Sequence, residues 1–266
     1  SSGVAEAYYK QVPIVFITAD RHPYLLDQYE IQKIDQDGIF DRYCKYSVTL
    51  PIIKAEDDAR YVHRVISEGL LELRHRVNGP VHFNVPTIGT NGGFLADELP
   101  HFSPISRIMS EDSEDVWRKY AMLTSKYKRI MVLLGENSFD DATKRAISSF
   151  SNSYNVVIAC EHMANYHYDH GLNLYVLTES MSYSSFEKVK PDLVITVGGH
   201  VITVNIKDYL RRLSGTFDHW HVDAEGAIMD GFYSLNTVFE GDPYFVFSRL
   251  AVLSDTENDE VYYSKW

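Results

Sequence analysis

Three short runs, Ile130–Leu134, Val156–Cys160 and Leu193–Val197, are apolar at nearly every position, and each follows a stretch with helical spacing. A strand that is apolar on successive positions must hide both faces, which parallel sheets achieve under helices on either side. The second half of the chain therefore reads as a Rossmann-like α/β domain with a parallel sheet. Helices are expected over 114–127, over 138–151 with Ser138 as cap and Ala142, Ala146, Ile147 and Phe150 on one side, and over 183–188, 206–213 and about 244–253. A further strand is expected at 219–222, then an irregular stretch, and the tail 254–266 is polar and acidic. No internal repeat is evident at short period.

The first half has the same character with fewer elements. Val4, Ala7 and Tyr8 share a helical face, and the apolar run beginning at Ile14 ends abruptly in Asp20-Arg21, with Gln32 and Ile34-Asp35-Gln36 in the polar segment beyond. That run reads as a strand buried on both faces that opens into a site loop, because open α/β sheets bind ligands beyond the carboxyl ends of their strands. A short helix at 39–44, a strand at 46–50 stopped by Pro51, a helix over 56–76 and a strand at 81–85 stopped by Pro86 complete it. From 87 to about 110 no period holds while Gly89, Gly92, Gly93, Pro100 and Pro104 accumulate, so the expected division is a first domain over 1–88, a linker over 89–110 and a second domain over 111–266. A chain that reaches an interior strand this quickly suggests a piece of a longer protein.

Composition narrows the function classes. A net charge of -12 in 266 residues disfavours nucleic acid, whose phosphates demand clustered Lys and Arg. No apolar run is long enough to cross a bilayer and no leader is legible, so the expectation is a cytoplasmic protein without membrane contact. Cys44 and Cys160, far apart and without metal spacing, read as reduced thiols.

Neither a G-x-S-x-G elbow, a Walker A loop, a C-x-x-C nor an H-E-x-x-H occurs. Gly198-Gly199-His200, between a strand and a helix, is half of a phosphate-cradling loop or simply a tight turn. His162, His167, Asp169 and His170 are the densest set of metal-ligand types, yet their spacing matches no zinc motif, and interleaved Tyr166 and Tyr168 favour a surface loop. His219, Trp220, His221 and Asp223 look like the polar end of a strand. Arg21 and Gln32 carry the stronger signal. A guanidinium at the exit of a strand can hold a carboxylate bidentately, and a glutamine can both donate to and accept from a heterocycle. The alternative pairs Arg21 with an acid at the rim and leaves Gln32 on the surface.

Ala5-Glu6-Ala7-Tyr8-Tyr9, the segment from Val12 to Arg21, Gln32, Ile34-Asp35-Gln36 and the segment from Gly79 to Pro86 together resemble the pyrimidine-binding domain of thiamine-diphosphate-dependent enzymes. Within that family the similarity is greatest to the 2-succinyl-5-enolpyruvyl-6-hydroxy-3-cyclohexene-1-carboxylate synthases of menaquinone biosynthesis. The stretch from Glu111 to Leu253 resembles the central domain of the same enzymes, marked by Pro191 to His200 and by His219-Trp220-His221-Val222. The resemblance implies part of the pyrimidine domain followed by the central domain. It also implies thiamine diphosphate and magnesium as cofactors, a 2-oxoacid donor (2-oxoglutarate with isochorismate as acceptor, in the menaquinone pathway) and a homodimer or homotetramer. Arg21 then matches a substrate-carboxylate arginine and Gln32 a glutamine beside the cofactor.

Three departures accompany it. The glutamate that activates the aminopyrimidine would lie upstream, and neither Asp37-Gly38 nor Asp230-Gly231 completes the metal motif of the diphosphate domain. No residue here is therefore assigned as catalytic or as a metal ligand, and the piece alone is expected neither to turn over nor to bind the cofactor tightly. Third, where such central domains carry basic residues after Gly-Gly-His, this chain has Thr203-Val204-Asn205, with Lys207 on another part of the helix. That points to a paralogue with a different substrate. Two other readings stand beside this one: a module binding FAD or ADP in the second half, and a purely structural or regulatory protein.

Overall fold

The computed structural model describes residues 2–88, 103–168, 170–254 and 261–266. Two compact units divide the chain, Ser1–Pro104 and Ile105–Trp266. Gly89, Gly92, Gly93 and Pro100 of the expected linker, and Asp169 of the His-rich stretch, lie outside the described residues.

In the first unit α1 (Ser2–Tyr9) precedes β1 (Val15–Asp20), β2 (Tyr46–Thr49), α2 (Glu56–Glu72) and β3 (Val81–Pro86). The strands form a parallel sheet in the order β1-β3-β2, with Thr18 opposite Asn84 and Val48 opposite Phe83. Helix α2 starts where Asp58 accepts the amides of Lys54 and Ala55, and three acidic residues fill its first turn at the positive end of the helix dipole. It packs on the sheet through Val65, against Leu50, Val81 and Phe83. Gly69 permits this approach, since a Cβ there would come within 2.5 Å of the Phe83 ring. The helix ends at Glu72, short of the expected Arg76, because the Lys45 ammonium caps the carbonyls of Glu72, His75 and Val77 and Arg76 turns to a φ of 56°.

The structure corrects two expectations in this unit. Segment 39–44 contains only a 3-10 turn, Asp41–Tyr43. Strand β1 is not buried on both faces: it is the edge of the sheet, and α2 covers β2 and β3, so Val15 and Ile17 remain 37% and 70% exposed. Its apolar run resembled an interior strand because β-branched residues suit an edge as well as a centre.

The second unit is a parallel seven-stranded sheet in the order β4-β10-β9-β8-β5-β6-β7. Its strands are β4 (Ser106–Met109), β5 (Ile130–Leu134), β6 (Val156–Cys160), β7 (Gly171–Asn173), β8 (Leu193–Val197), β9 (Asp218–Asp223) and β10 (Leu235–Glu240). Its helices are α3 (Glu114–Thr124), α4 (Asp141–Ser153), α5 (Leu174–Glu179), α6 (Tyr183–Lys188), α7 (Val204–Arg212) and α8 (Pro243–Val252). Every residue of β5, β6 and β8 is buried or nearly so. Val132, Leu134, Ile147, Phe150 and Phe247 build one core layer, and Met131, Leu133, Val194, Ile206 and Leu210 the other. Here the two-sided reading of the apolar runs holds.

Four elements were not legible: β4 within the stretch read as linker, β7, α5, and β10 within the stretch read as irregular. Helix α4 is capped by Asp140, which accepts the Thr143 amide, rather than by Ser138. The connections run outward from β5 through β6 to β7, then from β8 through β9 to β10, so the topology reverses between β5 and β8. Among the described residues no helix is long and apolar enough to cross a membrane.

Candidate functional site

Arg21 and Gln32 meet at the carboxyl end of β1. The Arg21 guanidinium donates to the Gln32 side-chain oxygen at 3.4 Å and pairs with Glu30 at 3.2 Å, with about a third of each of the two charged side chains exposed. Arg21 thus does pair with a rim acid, and Gln32 lies exposed beside that pair. Neither Glu30 nor the contact between positions 21 and 32 could be read from spacing, because a loop has no period.

Beneath them Asp20, 7% exposed, accepts from Lys33 Nζ at 2.8 and 2.9 Å, from Gln36 at 3.1 Å, from Asn84 at 3.2 Å and from the Arg21 amide at 2.8 Å. Burial works to raise this carboxyl, but the hydrogen bonds from Lys33, Asn84 and the Arg21 amide, with the Lys33 charge, outweigh it and hold Asp20 below the usual carboxylate value. Behind Asp20 runs a directed chain. Thr18 donates to Asn84 at 2.8 Å and so accepts from His82 Nε2 at 2.8 Å, which leaves His82 Nδ1 to accept from Ser47 at 3.1 Å. That tautomer is neutral, in keeping with the lowered His82 pKa that burial causes. On the same rim a cleft of about 520 Å3 is lined by His22, Tyr24, Thr49, Lys54 and Tyr61.

The second unit has its own rim at the switch point. Gly198, at a φ of +87°, turns the chain after β8 so that the Gly199 amide bonds Glu136 O at 2.8 Å and His200 O receives the Glu136 amide at 2.9 Å. The glycines let two loops touch: a Cβ on Gly135 would lie 2.3 Å from the Gly199 carbonyl. A cavity of about 610 Å3 opens beside them, lined by Gly198, His200, Lys207, Arg211, His221 and Phe232 among others. Lys207, which comes from another part of α7 than Val204-Asn205, lines the same space as the glycine turn. In the wall, Thr196 bridges His219 and His221 at 2.9 and 2.8 Å. Burial, then the neighbouring His219, pushes His221 down to about 4. Burial also lowers His219, against the opposing pull of Asp230 at 3.9 Å.

Among the described residues no group of three His, Cys, Asp or Glu could hold a metal. His162 lies 3.8 Å from Glu161, and His170 packs on Tyr263. Cys44 and Cys160 are unpaired, and burial raises both thiols, to about 11 and about 12.

No family model matches the chain. Among curated proteins, it is 34% identical to the 2-succinyl-5-enolpyruvyl-6-hydroxy-3-cyclohexene-1-carboxylate synthase of Bacteroides fragilis (strain YCH46), over 99% of this chain and 48% of that protein. The synthase of the same name from Bacteroides thetaiotaomicron is 33% identical over 97% of this chain and 46% of its own length. That from Phocaeicola vulgatus is 34% identical over 96% and 46%. The chain spans about half the length of the curated relatives it matches.

Proposed function

We propose that this chain, a homologue of the 2-succinyl-5-enolpyruvyl-6-hydroxy-3-cyclohexene-1-carboxylate synthases along nearly all of its length, forms one wall of the site of a thiamine-diphosphate-dependent decarboxylase and carboligase. The observation that carries the reading is the pairing of Arg21 with Gln32 at a sheet's carboxyl end, in a chain with that relationship. The substrate is a small 2-oxoacid, and the intact protein works in the cytoplasm as a homodimer or homotetramer. Exposed Tyr29, Ile31 and Ile34 on the site loop suit a partner surface there.

The donor set fits part of the cofactor assembly. A guanidinium and a carboxamide, both partly open to solvent, suit a carboxylate and the edge of a heterocycle. Among the described residues no cluster of His, Cys, Asp or Glu could hold magnesium. Thiamine diphosphate, when bound, supplies the nucleophilic carbon and the electron sink for loss of carbon dioxide. Arg21 holds the substrate carboxylate, which competes with Glu30 for the guanidinium. Gln32 presents its amide to the reacting carbonyl or the ring beside it, and Asp20 keeps both on the rim.

The test uses the complete protein with thiamine diphosphate and magnesium, measuring carbon dioxide release from a panel of 2-oxoacids. We expect cofactor-dependent release, and a KM raised about 10–100-fold in Arg21→Ala, as loss of a charge-assisted bidentate contact implies. No cofactor-dependent release from any 2-oxoacid overturns the reading. A second reading, a nucleotide module, has its own observation in the cavity between the glycine turn and Lys207 and Arg211. Calorimetry with FAD, ADP and NAD separates them, since silence for all three removes it.

A further inference from the structure

We infer that the Asp20–Lys33 pair is a positioning device: it pins the loop over 21–36 to the end of β1 and so sets Arg21 and Gln32 side by side without touching substrate itself. The inference rests on the proposed function for what the two rim residues do, and on the geometry alone for how they are held.

The loop between β1 and β2 is built against its own preferences. Asp27, Tyr29 and Gln32 adopt φ values of 58°, 52° and 58°, the left-handed region that residues with a Cβ rarely enter. Little apolar burial compensates, since Tyr24, Tyr29, Ile31 and Ile34 are all more than half exposed. The fastening is polar and concentrated at one point. Lys33 lies next to Gln32 in sequence, its side chain is 5% exposed, and it donates to both oxygens of Asp20. Gln36 adds one bond to Asp20 and a longer one to the Ala19 carbonyl.

Asp20 also accepts the amide of Arg21, so one buried carboxylate fixes the backbone of one rim residue and, through Lys33, the neighbour of the other. On the opposite side Asn84 holds Asp20 to β3. An aspartate with a full set of donors leaves no lone pair for substrate, which is why its role is to position. Arg21 and Gln32 contact each other only weakly, at 3.4 Å, and would drift apart if the loop were released.

The test compares three forms of the complete protein: wild type, Lys33→Met, and Lys33→Met combined with Asp20→Asn. The single variant leaves a buried carboxylate without its cation and is expected to lose stability; the double variant removes both charges and is expected to regain most of it. If the pair positions the rim, the double variant keeps a near wild-type unfolding temperature while its kcat/KM for the 2-oxoacid stays at least tenfold low. Amide hydrogen exchange over 21–36 is then faster in both variants, with β3 still protected. Wild-type kcat/KM in the refolded double variant, or unchanged exchange over 21–36 in either variant, overturns the inference. The exchange measurement needs no turnover, so a wild-type protein without 2-oxoacid decarboxylation sinks the proposed function and leaves the positioning claim to be judged by exchange.

Discussion

The two units bury their strands differently, and the difference separates scaffold from site. In the larger unit β5, β6 and β8 are closed on both faces by apolar layers. In the smaller unit only one face of β3 is apolar. Val81 and Phe83 meet α2, while His82 and Asn84, each 1% exposed, look into a hydrogen-bonded network that leads to Asp20. Burial without solvation is costly for such groups unless each is bonded, so the network specifies geometry at the expense of apolar stabilisation. A sheet that spends one face on polar groups gains precision at its rim, and a sheet that spends both faces on packing gains stability.

The largest expected effect tests that division directly. Leu133 is wholly buried in the core layer containing Val194, Ile206 and Leu210. Leu133→Ala should cost about 2–5 kcal/mol, the range for a large-to-small change in a closed core. Chemical denaturation followed by tryptophan fluorescence reads it, because all three tryptophans, Trp117, Trp220 and Trp266, lie in the larger unit. A loss below about 1 kcal/mol would mean that this core relaxes easily, and the contrast between the units would fail.

How much of this was legible follows from the same contrast. Two-sided burial writes itself as unbroken apolar sequence, so β5, β6 and β8 could be read to the residue. Strand β10 could not, because Asn236 and Glu240 interrupt it, and Glu240, 8% exposed, lies 3.6 Å from Arg107. Strand β1 misled in the opposite sense: Val15 and Ile17 look like core residues and sit on an edge. At the rim, Arg21 and Gln32 were visible as residue types. Lys33 was not, since a lysine in a polar loop normally marks solvent and only the fold shows it 5% exposed against Asp20.

A smaller effect comes from pH, and it is expected to be graded between the units. In the larger unit His221 has a folded pKa of about 4, below the ordinary 6.5, so between those values the unfolded chain binds more protons than the folded one. Stability is then full above about pH 6.5 and falls as pH drops towards 4, by about 3 kcal/mol at most for a shift of this size. Buried His82 in the smaller unit acts in the same direction, while Asp20, whose carboxyl is held low, loses its contribution only as pH falls below about 3.9. Denaturation midpoints from pH 7 to 4 should show the decline, and His221→Gln should flatten it. An unchanged slope in that variant would assign the acid sensitivity to His219 or to the smaller unit.

The smallest effect is the sharpest test of the edge. Ile17 projects from β1 at 70% exposure, and its neighbour on β3, Phe83, is covered by α2 rather than by β1. With most of its side chain already in water, Ile17→Thr removes little buried apolar area and retains a β-branched residue suited to a strand. The expected change is within about 0.5 kcal/mol, as for other substitutions away from a core. Leu133→Ala measured beside it fixes the scale, since both replace a large aliphatic side chain in a parallel strand. A loss above about 1 kcal/mol at Ile17 would mean that this face is covered in solution, and analytical ultracentrifugation of the two variants would show whether a second copy covers it.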